Sequence, residues 1–358
     1  MLRSLYVLGP HSSGKHVMRR RPSQRDIARA AGISQPTVSI VLNGRADEYG
    51  IALETQDKVR EAMRRLGYVP DVAGRSLRGG RNGLIGVHTF ERVFPVGPDD
   101  YYHEFLVGIE EKAVEMGQDL VLFASTQRPD GTRSIYGAGT NRLRLADGAI
   151  ILGLERNDDE LVRLAREGFP FVFIGRRDIP GAHTPYVAAD YAGAIAEVVE
   201  ALSSAGHTRV GYLGLDGTLR RGPQEERREA FYQCAGRRGL EPDRPALMAS
   251  EALTGAWLRE VAASETTALV IEAFELADAL AATALREGVR VPDDLSVVCL
   301  DLPPVSSPGW SHIAVPRRDM GARAVALLLG LLDGEVPADR HEIVPCDPLT
   351  GDTIAPPR

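Results

Sequence analysis

Residues 23–43 read SQRDIARAAGISQPTVSIVLN, and this stretch decides how the front of the chain folds. Ser23 is a good helix N-cap, and Asp26 stands three residues on, in the capping-box position usually held by Glu or Gln. Ile27, Ala28 and Ala31 fall on one face at helical spacing. Gly32 supplies the backbone freedom that a sharp turn between helices needs. Ser34 caps a second helix, and Pro36 sits in its first turn, where a missing N–H costs little. Val38, Val41 and Leu42 give that helix an apolar face, and the small Ala28 lets the two helices cross closely. Gln35, Thr37 and Ser39 are left outside, and their short polar groups suit base edges and phosphate oxygens.

Charge is distributed to match. Residues 1–82 hold 15 Lys and Arg against 7 Asp and Glu, whereas the remainder holds 27 against 42, within a net charge of −7. A basic head on an acidic body favours nucleic acid at one end only. Hydrophobic residues make up 44% of the 358 and charged residues 25%, ordinary values for a water-soluble chain of two or three domains. No run of apolar residues is long enough for a membrane span, and MLRSLYVLG is too short in its apolar part for a signal peptide. Cys234, Cys299 and Cys346 show no CxxC spacing, which fits a reducing compartment without a metal site.

A third helix follows over Glu54–Leu66, and then GYVPDVAGRSLRGGRN, residues 67–82. Six or so residues with an internal glycine cannot hold a helix alone in water. The run from Arg25 to Val87 resembles the DNA-binding headpiece and hinge of the LacI/GalR family of bacterial transcription regulators. DIARAAGIS, TVSIVLNG, RRLGYVPD and GRSLRGG carry the likeness, in order and near the family spacing. The resemblance implies DNA contacts at Ser34, Gln35, Pro36, Thr37, Ser39 and Asn43. It also implies that Arg75 and Leu77 lie in a hinge that folds when two copies meet in the minor groove, with Leu77 as an apolar wedge. Two departures stand out. Ile40 occupies the place of the family's arginine, and the link ADEYGIAL, residues 46–53, is longer than usual.

From Gly83 onward short apolar runs alternate with helical stretches. Leu84–Val87, Leu120–Phe123, Gly148–Leu152, Phe171–Ile174, Tyr186–Ala189, Val210–Leu213, Ala268–Ile271 and Ser296–Leu300 read as strands. That alternation predicts an α/β fold: parallel sheets covered by helices, in two subdomains with a cleft between them. DGAIILG, GHTRVGYLG, RVPDDLSVVCLD and MGARAVALLLGLLDGE extend the resemblance to the family's effector-binding core, which is similar to periplasmic binding proteins. The expected organisation is a basic arm over 1–22, a helix-turn-helix headpiece over 23–69, a hinge over 70–82 and a two-subdomain core over 83–350.

Ligands of open α/β sheets bind beyond the carboxyl ends of the strands. There the resemblance points to Tyr101, Tyr102, Asp190, Arg227 and Asp301 as effector contacts, the charged groups holding hydroxyls by charge-assisted hydrogen bonds. Ala273 and Phe274 replace the family's Asn-Asp pair, and Leu302 replaces an Asp, which leaves the effector open between a sugar-like or less polar metabolite and a site that has decayed. The resemblance implies a cytoplasmic homodimeric repressor on a pseudo-palindromic DNA operator, released by that effector, with no cofactor. Two other readings compete. A solute-binding protein lacks a reason for the headpiece. A nucleotide-binding enzyme would rest on Gly9–His16, GPHSSGKH, which has His16 where a phosphate loop needs Ser or Thr and then runs into Pro22.

Overall fold

The computed structural model describes residues 22–42, 44–68, 81–90, 101–124, 133–136, 139–154, 157–216 and 222–358. Asn43, Arg75, Leu77 and the Gly9–His16 loop therefore lie outside the described residues. The chain divides into two compact units at Asn82 and Gly83.

The first unit holds α1 (Gln24–Ala31), α2 (Gln35–Leu42) and α3 (Leu53–Leu66). Both halves of the capping box form: the Ser23 amide donates to Asp26 Oδ2 at 2.8 Å, and the Asp26 amide donates to Ser23 Oγ at 3.4 Å. Gly32 ends α1 at φ 70°, a left-handed conformation that costs glycine nothing. Ser34 Oγ then accepts from the Thr37 amide at 3.3 Å and starts α2. Ile27, Val38 and Val59, one from each helix, are fully buried together with Ala28 and Ala62. The loop between α2 and α3 is held by Gln56, a buried polar residue of α3 whose Nε2 donates to the Ile51 carbonyl at 3.0 Å. An extended link is thus tied down by a side chain of the helix it precedes.

The second unit contains two parallel sheets. In the first lobe the order is β2 (Asp119–Leu122), β1 (Leu84–Thr89), β3 (Gly148–Leu152), β4 (Phe171–Ile174), β5 (Tyr186–Ala189) and β12 (His341–Val344). In the second it is β7 (Glu241–Pro242), β6 (Arg209–Gly214), β9 (Ala268–Ile271), β10 (Ser296–Cys299) and β11 (Ser311–His312), with β8 (Ala246–Leu247) also on β6. Every residue of β3, β4, β5, β9 and β10 is buried, as expected of strands covered on both faces. Helices α4 (His103–Glu115) and α10 (Arg317–Asp333) cover one face of the first sheet and α5 (Asp158–Arg166) the other. The second sheet lies between α6 (Tyr191–Ser204) with α7 (Gly222–Arg237) and α8 (Gly255–Ala263) with α9 (Phe274–Glu287). Helices α4 and α10 touch through their backbones at Gly108 and Gly321, where a Cβ on either would collide with the other's main chain.

The chain passes between the lobes three times: from β5 to α6, from β11 to α10, and after β12. These crossings lie side by side. The Asp190 amide donates to the Val344 carbonyl at 2.8 Å, and the Asp347 amide to the Ala314 carbonyl at 3.1 Å. The core does not end at 350, where the sequence placed its boundary. Thr353 is buried, its Oγ1 donates to the Val297 carbonyl at 2.7 Å, and the Ala355 amide donates to Ser296 Oγ at 3.0 Å. The tail supplies these bonds to the edge of β10, so it belongs to the second lobe. Among the described residues no helix is long and apolar enough to cross a membrane, and no group of His, Cys, Asp or Glu could hold a metal ion.

One buried group gives the core a pH dependence. Burial lowers His88, in β1, from its ordinary 6.5 to about 4, and the Arg133 guanidinium nearby acts in the same direction. The folded core therefore holds His88 neutral where the unfolded chain takes up a proton. Its contribution to stability is full above about 6.5 and is lost as the pH falls from there to about 4, on the order of 3 kcal/mol in all. Denaturant titrations across that range should show a steeper loss for the wild type than for His88→Phe. Equal slopes would remove His88 as the cause.

Candidate functional site

The helix-turn-helix surface is built by the two caps. Val38 is buried against α1 and α3, which turns the opposite face of α2 outward. Ser34 and Pro36 are exposed, and Gln35, Thr37, Ser39 and Ile40 are half-buried. Ser34 Oγ and Thr37 Oγ1 lie 2.7 Å apart and share a hydrogen bond. Gln35 Nε2 donates to Gln24 Oε1 at 2.8 Å, a contact between the first residues of α1 and α2. No basic residue lies in the last turn of α2 and no acidic residue in its first. The outer face of α2 thus carries hydroxyls, a carboxamide and the apolar Ile40 rather than charge.

The cleft of the second unit opens at the carboxyl ends of both sheets, where two of the expected effector residues stand as lining. Tyr101 and Tyr102 meet edge to face with centroids 5.1 Å apart, and Phe105, Phe173, Tyr191 and Met320 close round them. Tyr102 also serves the fold, because its hydroxyl accepts from the Leu154 amide at 3.2 Å and holds the turn after β3. Burial pushes the phenols of Tyr101 and Tyr191 above their ordinary range.

The three charged residues are placed differently. Asp190 is the N-cap of α6, its Oδ1 accepting from the Gly193 amide at 2.9 Å. Arg227 is buried in α7; its Nη1 donates to the Leu300 carbonyl at 2.5 Å, and its guanidinium lies 5.3 Å from the Tyr191 ring centre. Asp301 is engaged by a residue the sequence reading missed: Arg317 Nη2 donates to Asp301 Oδ2 at 2.6 Å. Arg317 also lies 4.8 Å over the Tyr101 ring. Arg317 begins α10 in the first lobe and Asp301 follows β10 in the second, so this pair spans the cleft. A second pair does the same at its mouth, Arg176 Nε to Glu226 Oε2 at 3.5 Å. Arg176 is half-exposed, so that pair contributes little. Burial pushes the Glu226 carboxyl up, and Arg176 pulls it back.

With these groups turned on one another, the cavity among the described residues measures about 40 Å³. That is room for a few water molecules, well short of the roughly 300 Å³ at which ligand pockets begin. Arg227 also ties α7 to the end of β10, and its charge-assisted bond is worth about 1.5–3 kcal/mol. Arg227→Ala should therefore lower the unfolding free energy of the core by that amount, measured in denaturant. No change would show that the guanidinium is not a structural tie.

Comparison with known proteins places the chain. A family model described as bacterial regulatory proteins, lacI family, matches residues 24–71, and a periplasmic binding protein-like domain matches residues 199–354. The HTH-type transcriptional regulator CelR of Thermobifida fusca is 27% identical over 332 residues, covering 88% of this chain and 94% of the relative. The catabolite control protein A of Priestia megaterium is 26% identical over 319 residues, covering 87% and 92%.

The chain belongs to the LacI family of bacterial regulatory proteins.

As a LacI-family transcription regulator it binds DNA through the headpiece and is not an enzyme. The headpiece match removes the reading as a solute-binding protein without a DNA role. The lac repressor dimer bound to operator and an anti-inducer shares the fold at TM-score 0.73 and 22% identity, over 94% of this chain and 99% of that one. The CelR–cellobiose complex does so at TM-score 0.61 and 24% identity, over 93% and 100%. At these identities the likeness is one of fold, and it covers both the headpiece and the two-lobed core.

Proposed function

We propose that this LacI-family regulator is a cytoplasmic homodimeric repressor that leaves a pseudo-palindromic operator when a small effector enters the cleft. The observation that carries the reading is the capped helix-turn-helix, which presents Ser34, Gln35, Pro36, Thr37 and Ser39 on the outer face of α2. Asn43, Arg75 and Leu77 join them in this reading, Arg75 on phosphates and Leu77 as the wedge in the minor groove. The names of relatives support repression: the sucrose operon repressor of Klebsiella pneumoniae is 29% identical over 221 residues. Dimerisation is supported by apolar side chains in water on both lobes. Val114 and Met116 lie before the edge strand β2 and Leu122 ends it, and Leu285, Leu302 and Val305 are on the second lobe; Val114 is 72% exposed and Leu285 86%.

A ligand shifts the DNA-bound state only if it favours one arrangement of the lobes. Here the arrangement is held by the Arg317–Asp301 pair, with Tyr101, Tyr102 and Arg227 beside it and Asp190 at a crossing. The aromatic lining of Tyr101, Tyr102, Phe105 and Phe173 suits a ligand less polar than a simple sugar. The test begins with selection of binding sites from random DNA by the full chain. The selected duplex is then used to measure affinity against a metabolite panel. Recovery of a palindromic site whose affinity falls with one metabolite supports the reading. Absence of any selected sequence overturns it, and tighter binding with the metabolite makes the ligand a co-repressor.

A further inference from the structure

The contact between Gln24 and Gln35 has a consequence for base readout. Gln35 is the one long hydrogen-bonding side chain in α2, whose remaining residues are Pro36, Thr37, Val38, Ser39, Ile40, Val41 and Leu42. A free glutamine at a helix start samples many rotamers, and ordering it on DNA costs side-chain entropy. Here Gln35 is already anchored: one Nε2–H donates to Gln24 Oε1 at 2.8 Å. The anchor consumes one donor and leaves the Oε1 and the second N–H of Gln35 without a protein partner among the described residues. An amide oxygen and an N–H side by side match the N6 donor and N7 acceptor of adenine in the major groove. Gln24 in turn keeps both N–H groups of its own amide. It opens α1, the helix that crosses the sugar-phosphate backbone in a docked helix-turn-helix, where glutamine amides donate to phosphate oxygens.

We propose that Gln24 is a positioning residue for sequence readout: it holds the Gln35 carboxamide against an adenine in each half-site and ties that pair to a backbone phosphate. The inference rests on the reading of the headpiece as an operator-binding module. It deepens that reading by naming the base and the residue that orients its reader.

The experiment uses the full chain, sites selected from random DNA, and a matched duplex in which 7-deazaadenine removes the N7 acceptor at the selected adenine. Wild type should select adenine at one symmetric position per half-site and lose about fivefold or more in affinity for the 7-deaza duplex. In Gln24→Ala that loss should shrink to less than about twofold, and selection should relax at that position while its neighbours are kept. Gln24→Glu still offers Gln35 an acceptor, so it should keep the adenine preference. Its negative charge by the phosphate should weaken binding to every sequence, random DNA included. Thermal unfolding of the headpiece is recorded for each variant, and Gln24→Glu carries the test if Gln24→Ala does not fold. Full discrimination in Gln24→Ala, loss of the adenine preference in Gln24→Glu, or a wild type that selects another base throughout each overturns the inference while leaving the regulator reading intact. A wild type that selects no sequence overturns both.

Discussion

Asp301→Ala is expected to lower the stability of the core by about 3–5 kcal/mol. Arg317 is 8% exposed and Asp301 is 9% exposed, and the two meet at 2.6 Å. Removing the carboxylate strands a guanidinium in a site with little water, beside the Tyr101 ring. The attraction of the pair matters less to this number than the cost of burying one charge alone. The double variant Asp301→Leu with Arg317→Met should recover most of the loss, since it removes both charges and keeps the apolar volume. Denaturant unfolding of the three variants checks this. A loss under about 1 kcal/mol for Asp301→Ala would mean that water reaches the pair. Because the pair bridges the lobes, the double variant should also alter operator affinity without ligand, which a pair confined to one lobe would leave untouched.

Ile27→Ala is expected to abolish specific DNA binding. Ile27 is fully buried, and the headpiece has only five other buried apolar residues among those described, Ala28, Val38, Ala46, Val59 and Ala62. Deleting a buried isoleucine to alanine costs about 2–5 kcal/mol. A unit of this size has about that much stability to lose. The core, a separate compact unit, should unfold as in the wild type. Gel shifts on the selected duplex and two-transition thermal unfolding read the two effects independently. Retained specific binding in Ile27→Ala would mean that the headpiece gains its stability elsewhere.

Much of the fold was legible because the interactions that make it are short in sequence. Ser23 with Asp26, Gly32, and Ser34 with Thr37 each act within a few residues, so the helix-turn-helix could be read from its own letters. The buried strands were legible for a related reason. Gly148–Leu152, Phe171–Ile174 and Ala268–Ile271 are covered on both faces, so every position is apolar. The edge strand β12 escaped notice because only Val344 of its four residues is buried, and HEIV carries no such run. Helix α8 escaped as well: it has only nine residues and fully buries only Leu258, with Trp257 and Val261 half-buried beside it.

The candidate site divides along the same line. Residue type and order were enough to name a helix-turn-helix, a two-lobed α/β core and the tyrosines that line its cleft. Tertiary structure alone decided how these side chains are employed. Asp190 caps a helix, Arg227 holds a strand end, and Asp301 is taken by Arg317 from the other lobe. Likewise Gln35 is steadied by Gln24 from the preceding helix. Each of these is a hydrogen bond, whose strength depends on distances of a few tenths of an ångström and on exclusion of water. Periodicity along the chain records which face a residue occupies. Which donor meets which acceptor across two lobes or two helices is set only when the separate elements pack.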